Sequence, residues 1–479
     1  MPMHKTTFFI GNEWVRPATD KVFDLVNAST GEQIATVPEG SEADIDKAVA
    51  AARNAFDNGD WANSSPSERA AVMLRFMEAM AKRGPQIAEA VSLQNGMPIS
   101  VANMLEAQFP AGLLQYYASL AEDMSLSESR PSQMGKETLV EKSAIGVVAA
   151  IVPWNFPVTL AFSKIAPAMV AGCTLVIKPS PGTVLDSYIV AEAALEAGVP
   201  AGVINIVAAD RAAGAHLVSH PGIDKVAFTG STGAGRKIAA VCGELLRPVS
   251  LELGGKSAAI LLEDVDLNIF LPGIPTASML NNGQACYNAT RILVPAKRYD
   301  EIVGAVADMV SNLVIGDAME EGTHIGPMAS SLHRDRVEGY IAKGKEEARL
   351  VAGGGRPANH NRGWFVEPTV FADVDNKAVI AQEEIFGPVL SIIKYQDEAD
   401  AINIANDSEF GLGGSVWSAD SGHATDVARD VQSGTVGVNG YMPALGSPFG
   451  GVKASGMGSE FGPEAVGGYQ RTKSIYVMG

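Results

Sequence analysis

Hydrophobic residues in the first part of the chain recur at helical spacing. In "EADIDKAVAAARNAF" and "PSERAAVMLRFMEAMAKRG", both within residues 41–121, apolar residues are three or four positions apart. Pro66 near the start of the second segment and Gly84 at its end are typical of helix boundaries. The polar segment 123–143 that follows is compatible with an extended hairpin arm or with a linker.

From Ile145 onward, continuous apolar runs alternate with helical patterns. The runs "IGVVAAIV", "CTLVIK", "GVINIV" and "KVAFTGS" are typical of strands that are buried on both faces. Strands that alternate with helices predict a parallel sheet with right-handed crossovers, and such sheets bind ligands at the carboxyl ends of their strands. A second unit of this kind runs from residue 254 to about 447, and "EEIFGPVL" at 383–390 and "GTVGVNGY" at 434–441 are interpreted as apolar strands within it.

Composition narrows the possible classes of protein. The 479 residues exceed one ordinary core, so two or more domains are expected. A formal charge of −18 argues against binding to nucleic acid, and no apolar run is long enough to cross a membrane. Three cysteines are too few for a disulfide framework, and no secretory signal is recognisable, so a cytoplasmic location is expected.

One pair of histidines has the spacing of a helical zinc site. His216 and His220 are four residues apart, but Leu217 stands where a zinc protease needs glutamate. No cysteine or third histidine lies near them in sequence, so we predict no metal.

Four segments at predicted strand ends carry groups that are suited to chemistry. "TGSTGAG" at 229–235 has the pattern of a phosphate-binding turn at a helix N-terminus, or of a tight turn that is only structural. In "VIKPS", Lys178 is interpreted either as a hydrogen-bond donor to a ribose or phosphate, or as a lysine exposed to solvent at a strand end. In "IVPWNFP", Asn155 between two prolines fits an oxyanion stabiliser or a turn residue. In "SLELGGKS", Glu252 fits a desolvated general base or a salt-bridged structural residue.

Cys286 lies in "NNGQACYNATRI", among small and turn-forming residues rather than in an apolar run. A cysteine in such a segment is either incidental or exposed for chemistry. Cys173 at the start of a strand and Cys242 in an amphipathic helix are expected to be core residues.

Together these segments resemble the aldehyde dehydrogenase superfamily. "PWNFP", "KPS", "FTGST", "LELGGKS", "NNGQAC", "EEIFGPV" and "PFGGVKASG" occur in the order found in that family and span residues 153–456. The resemblance implies an α/β fold with a Rossmann-like parallel-sheet cofactor domain, an α/β catalytic domain and a small β oligomerisation arm. The expected bounds are 1–122 with 142–253 for the NAD(P)-binding domain, 254–447 for the catalytic domain, and 123–141 with 466–479 for the arm.

The resemblance also implies a mechanism. Cys286 is the nucleophile that attacks an aldehyde, and Asn155 with the Cys286 N–H holds the oxyanion. Glu252 activates the water that hydrolyses the thioester. The residues expected to contact the cofactor are Ile151, Val152, Pro153, Trp154, Lys178, Ser180, Pro181, Gly230, Ser231, Leu253, Glu384 and Phe386.

The expected cofactor is NAD, with NADP as the alternative. Many relatives with strict NAD preference carry a glutamate three residues after the lysine of "KPS", where this chain has Pro181. The repulsion of a 2′-phosphate expected from that glutamate is therefore missing. NAD is still favoured because no arginine stands next to this motif in the sequence.

The substrate expected from the resemblance is an uncharged, apolar aldehyde of the medium-chain aliphatic, terpenoid or aromatic type. The residues expected to line its tunnel carry no positive charge, and they are Phe156, Leu160, Ser163, Ala285, Tyr287, Met442, Ala444 and Leu445. Two alternatives are a semialdehyde dehydrogenase that acylates coenzyme A, which Glu252 disfavours, and a cofactor-binding relative without turnover. A homodimer or homotetramer is expected.

Overall fold

The larger of the two main sheets has eight strands. The computed structural model describes residues 3–478, so the outer ends of the expected domain and arm segments, at residues 1, 2 and 479, lie outside it. In spatial order the strands are Gly456–Met457, Val249–Glu252, Lys225–Thr229, Val147–Ile151, Thr174–Lys178, Ile204–Ile206, Phe8–Ile10 and Glu13–Val15. The five from Val249–Glu252 to Ile204–Ile206 are parallel, and the strands beyond them are antiparallel.

The order of these strands creates a switch point. The chain enters the parallel part at Val147–Ile151, whose neighbours are Thr174–Lys178 on one side and Lys225–Thr229 on the other. The crossover helices are Pro157–Ala171, Leu185–Glu196, Arg211–Ser219 and Thr232–Glu244. Ligands bind in doubly wound sheets at such a point, outside the carboxyl ends of the strands.

The second sheet has seven strands and is parallel except at one edge pair. Its order is Arg349–Ala352, Thr369–Ala372, Val389–Tyr395, Arg291–Pro295, Ala258–Leu261, Gly414–Trp417 and Gly437–Val438. The prediction of a strand over 383–390 is wrong for most of its length, since the strand begins at Val389. Phe386 has a φ of 64°, and Gly387 and Pro388 follow, so the backbone turns there. The strand expected at 434–441 is limited to Gly437–Val438.

Residues 41–121 are helical, as the spacing of apolar residues predicts. The helices are Glu42–Asp57, Pro66–Lys82, Gly84–Asn95, Ile99–Ala102 and Phe109–Leu120, with a π-helical turn over Asn103–Gln108. Ser65 caps the second, and its hydroxyl and Glu68 form a reciprocal capping pair. The helices attached to the second sheet are Leu267–Ala277, Tyr299–Ser311, Ser331–Glu347, Val379–Gln382, Glu398–Asn406 and Ser421–Arg429. Single turns occur at Trp61–Asn63, Ala121–Asp123, Ala296–Arg298 and Glu464–Gly467.

The polar segment 123–143 forms a hairpin rather than a linker. Strands Ser127–Pro131 and Glu137–Ala144 pair with each other, and Gln470–Val477 pairs with the outer side of Glu137–Ala144 to complete a three-stranded antiparallel sheet. We call this the arm sheet. Two small sheets complete the fold, one of Met3–His4, Gln33–Pro38 and Val22–Val26, the other of Phe410–Gly411 and Val452–Lys453. The division into domains with the expected bounds stays a prediction. Within residues 3–478, no helix has the length and apolarity to cross a bilayer.

Candidate active site

The "PWNFP" loop follows strand Val147–Ile151 at the switch point and carries Asn155. Its backbone is held by two other asparagines. The Asn95 side-chain amide donates to the carbonyls of Trp154 at 3.0 Å and Asn155 at 3.1 Å, and Asn281 donates to the Asn155 carbonyl at 2.9 Å. The amide of Asn155 itself donates to the Gln284 carbonyl at 3.0 Å. The Asn155 amide, which is expected to stabilise an oxyanion, is therefore buried and fixed beside the segment that contains Cys286.

A buried carboxylate fixes the start of the helix after this loop. Glu106, on the π-helical turn, accepts the Val158 N–H at 2.8 Å at the N-terminus of helix Pro157–Ala171. Burial raises the pKa of Glu106 to about 8, although the backbone donors oppose that rise. The loop is thus anchored at both ends by side chains from the helices of residues 41–121.

The segment before Cys286 is wound in the left-handed region. Asn281, Asn282 and Gly283 have φ values of 51°, 60° and 79°. The side-chain amide of Asn282 donates to the backbone carbonyls of Gly96 at 2.8 Å and Pro327 at 2.9 Å. Its side-chain oxygen accepts the Gly326 N–H at 2.7 Å. Asparagine tolerates this conformation better than other side chains. At Gly283 a Cβ would lie 2.1 Å from the Gly387 carbonyl carbon, so only glycine fits.

Cys286 is partly exposed, whereas the other two cysteines, Cys173 and Cys242, are buried. Burial raises the pKa of the Cys286 thiol, and the nearby carboxylates of Glu384 and Glu252 raise it further. The thiol is therefore neutral in this arrangement and needs a base to become a nucleophile.

Glu252 ends strand Val249–Glu252 and is almost fully buried. Within residues 3–478, neither of its carboxylate oxygens has a hydrogen-bond partner. Burial raises the pKa of Glu252 well above its ordinary value, the Glu460 carboxylate raises it further, and Lys164 opposes the rise. A buried carboxyl with two unpaired oxygens beside a thiol is suited to holding a water and accepting its proton.

Sequence reasoning missed the ion pair beside Glu252. Lys164 is completely buried, and its ammonium group donates to the Glu460 carboxylate and, at 2.6 Å, to the Thr229 hydroxyl. One signal was available, because a lysine at this position of the apolar "TLAFSKIAPAMV" needs a buried partner. The partner lies near the other end of the chain, where no local pattern identifies it.

A cavity of about 250 Å³ at the carboxyl ends of the strands is lined by both Asn155 and Cys286, whereas Glu252 precedes the lining residue Leu253 and does not line it. The expected residues Pro153, Trp154, Asn155, Gly230, Ser231, Leu253, Cys286, Glu384 and Phe386 line it, as do Thr229, Gly254, His333 and Arg336, which sequence reasoning did not identify. The Glu384 carboxylate accepts the Gly255 N–H at 3.1 Å, and burial raises its pKa to about 7.

His333 supports the wall of this cavity. Its Nε2 lies 2.6 Å from the Phe386 carbonyl, and its ring packs edge-on against Trp154 at 5.1 Å between centroids. Burial lowers the pKa of His333 to about 4, so the ring is neutral near pH 7 and donates to that carbonyl. This contact fixes Phe386 in its strained backbone conformation.

A second cavity, of about 540 Å³, lies between helices Arg211–Ser219 and Thr232–Glu244. The expected residues Ile151, Lys178 and Ser231 line it, and Ser231 is shared with the first cavity. Val152, Ser180 and Pro181 line neither of the two cavities. The Val152 N–H instead donates to the Lys178 carbonyl at 3.1 Å, which joins the two loops that follow neighbouring strands.

The residues expected for the substrate lie on the other side of Cys286, and they are only partly brought together. Leu160, Tyr287 and Leu445 pack with Cys286 against one apolar cluster, together with Phe109 and Tyr116. Met442 and Ala444 line a separate cavity of about 240 Å³ that also includes Tyr441 and Phe449. The Tyr287 ring joins the two groups, since its centroid lies 4.8 Å from that of Tyr441 and 6.2 Å from that of Phe449. Phe156 and Ala285 are buried beside them.

Ser163 has a different environment from the one expected. It is completely buried, and its hydroxyl donates to the Leu160 carbonyl at 2.9 Å within helix Pro157–Ala171. The hydroxyl is thus engaged by the helix and adds no free polar group to the apolar surface near Cys286.

The histidine pair has a third partner that sequence reasoning missed. Asp46 Oδ1 lies 2.6 Å from His216 Nε2 and 3.4 Å from His220 Nε2. The Gly222 N–H donates to His220 Nδ1 at 2.9 Å, so the proton of neutral His220 is on Nε2, facing Asp46. In this tautomer the Nε2–H faces the Asp46 carboxylate, and no lone pair on Nε2 is free for a metal. The absence of a metal stays a prediction.

Comparison with known proteins agrees with the geometry. Residues 14–475 match the Aldehyde dehydrogenase family. The chain belongs to this family. The enzyme is 59% identical over 471 residues to geranial dehydrogenase of Castellaniella defragrans, with 98% of each chain covered. It is 38% identical over 476 residues to phenylacetaldehyde dehydrogenase of Pseudomonas fluorescens, which covers 98% of this chain and 95% of that one.

Solved structures give the same result for the fold. A Mycobacterium tuberculosis aldehyde dehydrogenase in complex with NAD+ superposes with a TM-score of 0.97 at 46% identity, over 100% of this enzyme and 99% of that chain. A cysteine-to-alanine mutant of aldehyde dehydrogenase C from Pseudomonas syringae, in complex with NAD+ and octanal, superposes with a TM-score of 0.95 at 38% identity. The match covers 98% of this enzyme and 96% of that chain. The α/β fold class expected from the sequence is confirmed.

Proposed function

We propose that the enzyme oxidises an uncharged, apolar aldehyde to the carboxylic acid with NAD+. The observation that carries this proposal is that Cys286 and Asn155 line one cavity, with the buried, unpaired carboxyl of Glu252 close enough to raise the thiol pKa. Nucleophile, oxyanion donor and general base are the three groups that a thioester route requires. Relatives named for geranial and phenylacetaldehyde support the choice of substrate class.

The first step is attack of the Cys286 sulfur on the aldehyde carbon. The thiol pKa is raised, so the proton must leave as the carbon–sulfur bond forms. The two carboxyl groups whose charges act on the thiol, Glu384 and Glu252, are its acceptors. The aldehyde oxygen becomes an oxyanion, which the Asn155 amide and the Cys286 N–H stabilise. Removing one such donor typically costs about 10²–10³ in rate.

NAD+ bound beside Cys286 would supply the hydride acceptor that turns the carbon attached to sulfur into a thioester. We propose that the Lys164–Glu460 pair, which lies close to Glu252, carries away the proton released by the thiol in the first step. Glu252 then accepts a proton from water as the water oxygen attacks the thioester carbon. The carbon–sulfur bond breaks, the acid leaves, and the same proton returns to the sulfur and restores the thiol.

The two cavities fit the two halves of the cofactor. We assign the nicotinamide end to the cavity with Cys286, Trp154, Glu384 and Phe386, and the adenosine end to the cavity with Lys178. Ser231, at the N-terminus of the thirteen-residue helix Thr232–Glu244, lines both, which suits a pyrophosphate between them. Arg336 adds a positive charge to the wall of the first cavity.

The apolar surface near Cys286 supports the proposed substrate class. Phe109, Tyr116, Tyr287 and Leu445 pack against the same apolar cluster as Cys286, and the Phe449 ring packs against those of Tyr287 and Phe461. Such a wall favours a planar or branched hydrocarbon chain, because it presents apolar and aromatic faces rather than cations that would pair with a carboxylate.

A panel of aldehydes tests the proposal. Reduced cofactor is followed by absorbance with geranial, octanal and phenylacetaldehyde, and with succinic semialdehyde and betaine aldehyde as charged controls. We expect kcat/KM for the apolar aldehydes to be at least about a hundredfold higher than kcat/KM for the charged ones, with free acid as the product. Turnover of only the charged substrates, or acyl-coenzyme A as the product, would refute it.

A further inference from the structure

Glu106 is a completely buried carboxylate that no basic side chain neutralises. Among residues 3–478 it takes part in no ion pair. Taking an unpaired carboxylate out of water is costly, so such a group persists only where a specific feature of the fold compensates. Glu106 also stands on the π-helical turn Asn103–Gln108, and such turns occur frequently at functional sites.

The compensating feature is the N-terminus of helix Pro157–Ala171, which begins without a cap of its own. The preceding residue, Phe156, offers no side-chain acceptor, and Pro157 has no N–H to satisfy. The N–H groups of Val158 and Thr159 lie in the first turn, where a helix provides no carbonyl four residues back. These two donors therefore need an acceptor from elsewhere in the fold.

The carboxylate of Glu106 supplies both acceptors. One oxygen accepts the Val158 N–H at 2.8 Å, and the other accepts the Thr159 N–H at 3.4 Å. A protonated carboxyl or a side-chain amide cannot reproduce this arrangement, because one of its two terminal groups carries hydrogen. The Thr159 hydroxyl also donates to the Leu105 carbonyl on the same turn. The π-helical turn thus holds the start of this helix through three hydrogen bonds.

This cap lies three residues after the amide that is expected to stabilise the oxyanion. Only Phe156 and Pro157 separate Asn155 from Val158. Phe156 is buried, and the ring of Pro157 fixes its φ, so the connection can absorb little movement. A shift of the helix start would therefore change the orientation of the Asn155 side chain.

We propose that Glu106 is a positioning residue for the oxyanion donor: its carboxylate holds the start of helix Pro157–Ala171 and thereby orients the Asn155 amide toward the aldehyde oxygen. The inference rests on the proposed function, because that function gives Asn155 its role. An interaction that is made only in the transition state affects kcat rather than KM. Loss of the Glu106 carboxylate should therefore slow the chemistry and leave the binding of aldehyde and NAD+ intact.

A double-mutant cycle with Glu106→Gln and Asn155→Ala tests this in the full-length enzyme. Octanal and NAD+ are the substrates, at pH 9, above the pKa of about 8 of Glu106, so that the wild type carries the carboxylate. Glu106→Gln should lower kcat about tenfold and change the KM for octanal by less than about twofold. Asn155→Ala should lower kcat by about 10²–10³. Adding Glu106→Gln to Asn155→Ala should change kcat by less than about twofold, because a donor that is absent cannot be misaligned.

Asp420→Asn is the matched control. The Asp420 carboxylate also accepts two N–H groups at a helix N-terminus, those of Gly422 at 2.9 Å and His423 at 3.1 Å. It is exposed and lines neither of the two cavities assigned to the cofactor. Its kcat should stay within about twofold of wild type. An equal loss of kcat in Asp420→Asn would refute a specific role for Glu106.

Thr159→Val provides a second route to the same result if Glu106→Gln does not fold, as judged by its melting curve. The substitution keeps the shape of the side chain and both N–H bonds to Glu106, and it removes the hydrogen bond to Leu105. We expect a loss of about threefold in kcat with an unchanged KM. This loss should also disappear in the Asn155→Ala background.

The other outcomes are equally decisive. A tenfold loss that persists in the Asn155→Ala background would overturn the proposal, because Glu106 would then act through another group, such as Lys164 on the same helix. An unchanged kcat in Glu106→Gln, or a raised KM alone, would overturn it as well. In all these cases the proposed function stands. Full activity of Asn155→Ala would instead refute the oxyanion donor in the proposed function, and with it the role of Glu106.

Discussion

Cys286 occupies its position because three left-handed residues turn the backbone just before it. It lines the same cavity as Asn155, and the charges of Glu384 and Glu252 act on its thiol. Burial and these carboxylates raise the thiol pKa, so the proposed nucleophile stays in its unreactive form until a proton acceptor is available.

Cys286→Ala should abolish turnover, because the carbon–sulfur bond cannot form. We expect a loss of roughly 10³-fold or more in kcat, with a melting temperature close to that of the wild type. Cys242→Ala, at a buried cysteine in helix Thr232–Glu244, is the control and should keep activity. Absorbance of the reduced cofactor and differential scanning fluorimetry give the two readouts. Residual activity above a few per cent in Cys286→Ala would contradict the assignment.

Glu252→Gln should separate the two halves of the reaction. The amide cannot accept the proton of water, so hydrolysis should slow by about 10²–10⁴ and acyl-enzyme should accumulate. Intact-mass spectrometry after mixing with aldehyde and NAD+ would show the acyl group on Cys286. Glu383→Gln is the control, since Glu383 accepts from the Tyr340 hydroxyl instead of facing the thiol. Linear turnover without a mass increase would assign the base elsewhere.

The pH profile should respond to Glu460. Glu252 acts as a base only when unprotonated, and its raised pKa moves the acidic limb of kcat above the ordinary carboxyl range. Glu460 contributes to that rise, whereas Lys164 opposes it. Glu460→Gln removes a negative charge, so the Glu252 pKa should fall and the acidic limb should move to lower pH. Stopped-flow rates between pH 5 and 9 provide the measurement, and a shift to higher pH would contradict this account.

At the scale of elements, helix Gly84–Asn95 controls the geometry of the loop that carries Asn155. The Asn95 amide at its C-terminus bridges two successive carbonyls of that loop. A helix remote in sequence therefore determines where the oxyanion donor points.

Asn95→Ala should loosen this loop. Two buried carbonyls lose a donor, so we expect a loss of about 1–3 kcal/mol in the free energy of unfolding. The kcat should fall more than the KM changes, because the oxyanion donor matters in the transition state. Asn58→Ala, at an exposed asparagine that bonds to Asn54, should change stability by less than about 0.5 kcal/mol. Denaturant unfolding and steady-state kinetics are the measurements; equal effects of the two variants would refute the role of Asn95.

Local pattern predicts elements whose formation depends on neighbouring residues. The runs at 147–151, 174–178 and 225–229 are strands because the three central residues of each are apolar and turn residues lie close by. The same criterion fails at 383–388, where Phe386 adopts a positive φ that long-range contacts with Trp154 and His333 stabilise. The local sequence does not reveal such contacts between residues that are far apart in the chain.

The groups that sequence reasoning missed share one property, which is long separation along the chain. Lys164 pairs with Glu460, and Arg211 and Lys237 line the same cavity as Lys178. The catalytic candidates could be named because the family resemblance places them in short motifs. The residues around them are brought there by the pairing of strands, and the local spacing of apolar residues does not specify which strands pair.

At the scale of the whole molecule, the arm sheet presents apolar groups to solvent. Met134, Tyr476 and Met478 on or beside its strands are all strongly exposed. Its outer strand Ser127–Pro131 is also exposed along its length. An apolar surface with an open edge favours association with another copy of the chain.

Met134→Asp combined with Tyr476→Asp should shift the enzyme toward monomer, since a charge at such a contact must be desolvated. Leu332→Asp is the control, because Leu332 is equally exposed but lies on helix Ser331–Glu347, away from the arm sheet. Size-exclusion chromatography with light scattering measures the mass. A monomeric wild type, or the same mass for all three proteins, would contradict assembly through the arm.

The pairing of Gly456–Met457 with Val249–Glu252 has a consequence for the order in which the enzyme matures during synthesis. A ribosome has already made Cys286 and most of both main sheets before the strand that covers Glu252 emerges. Until then, strand Val249–Glu252 lacks this neighbour, and Glu460, which helps to raise the Glu252 pKa, has not been made. The groups that set the basicity of Glu252 are therefore synthesised after the proposed nucleophile.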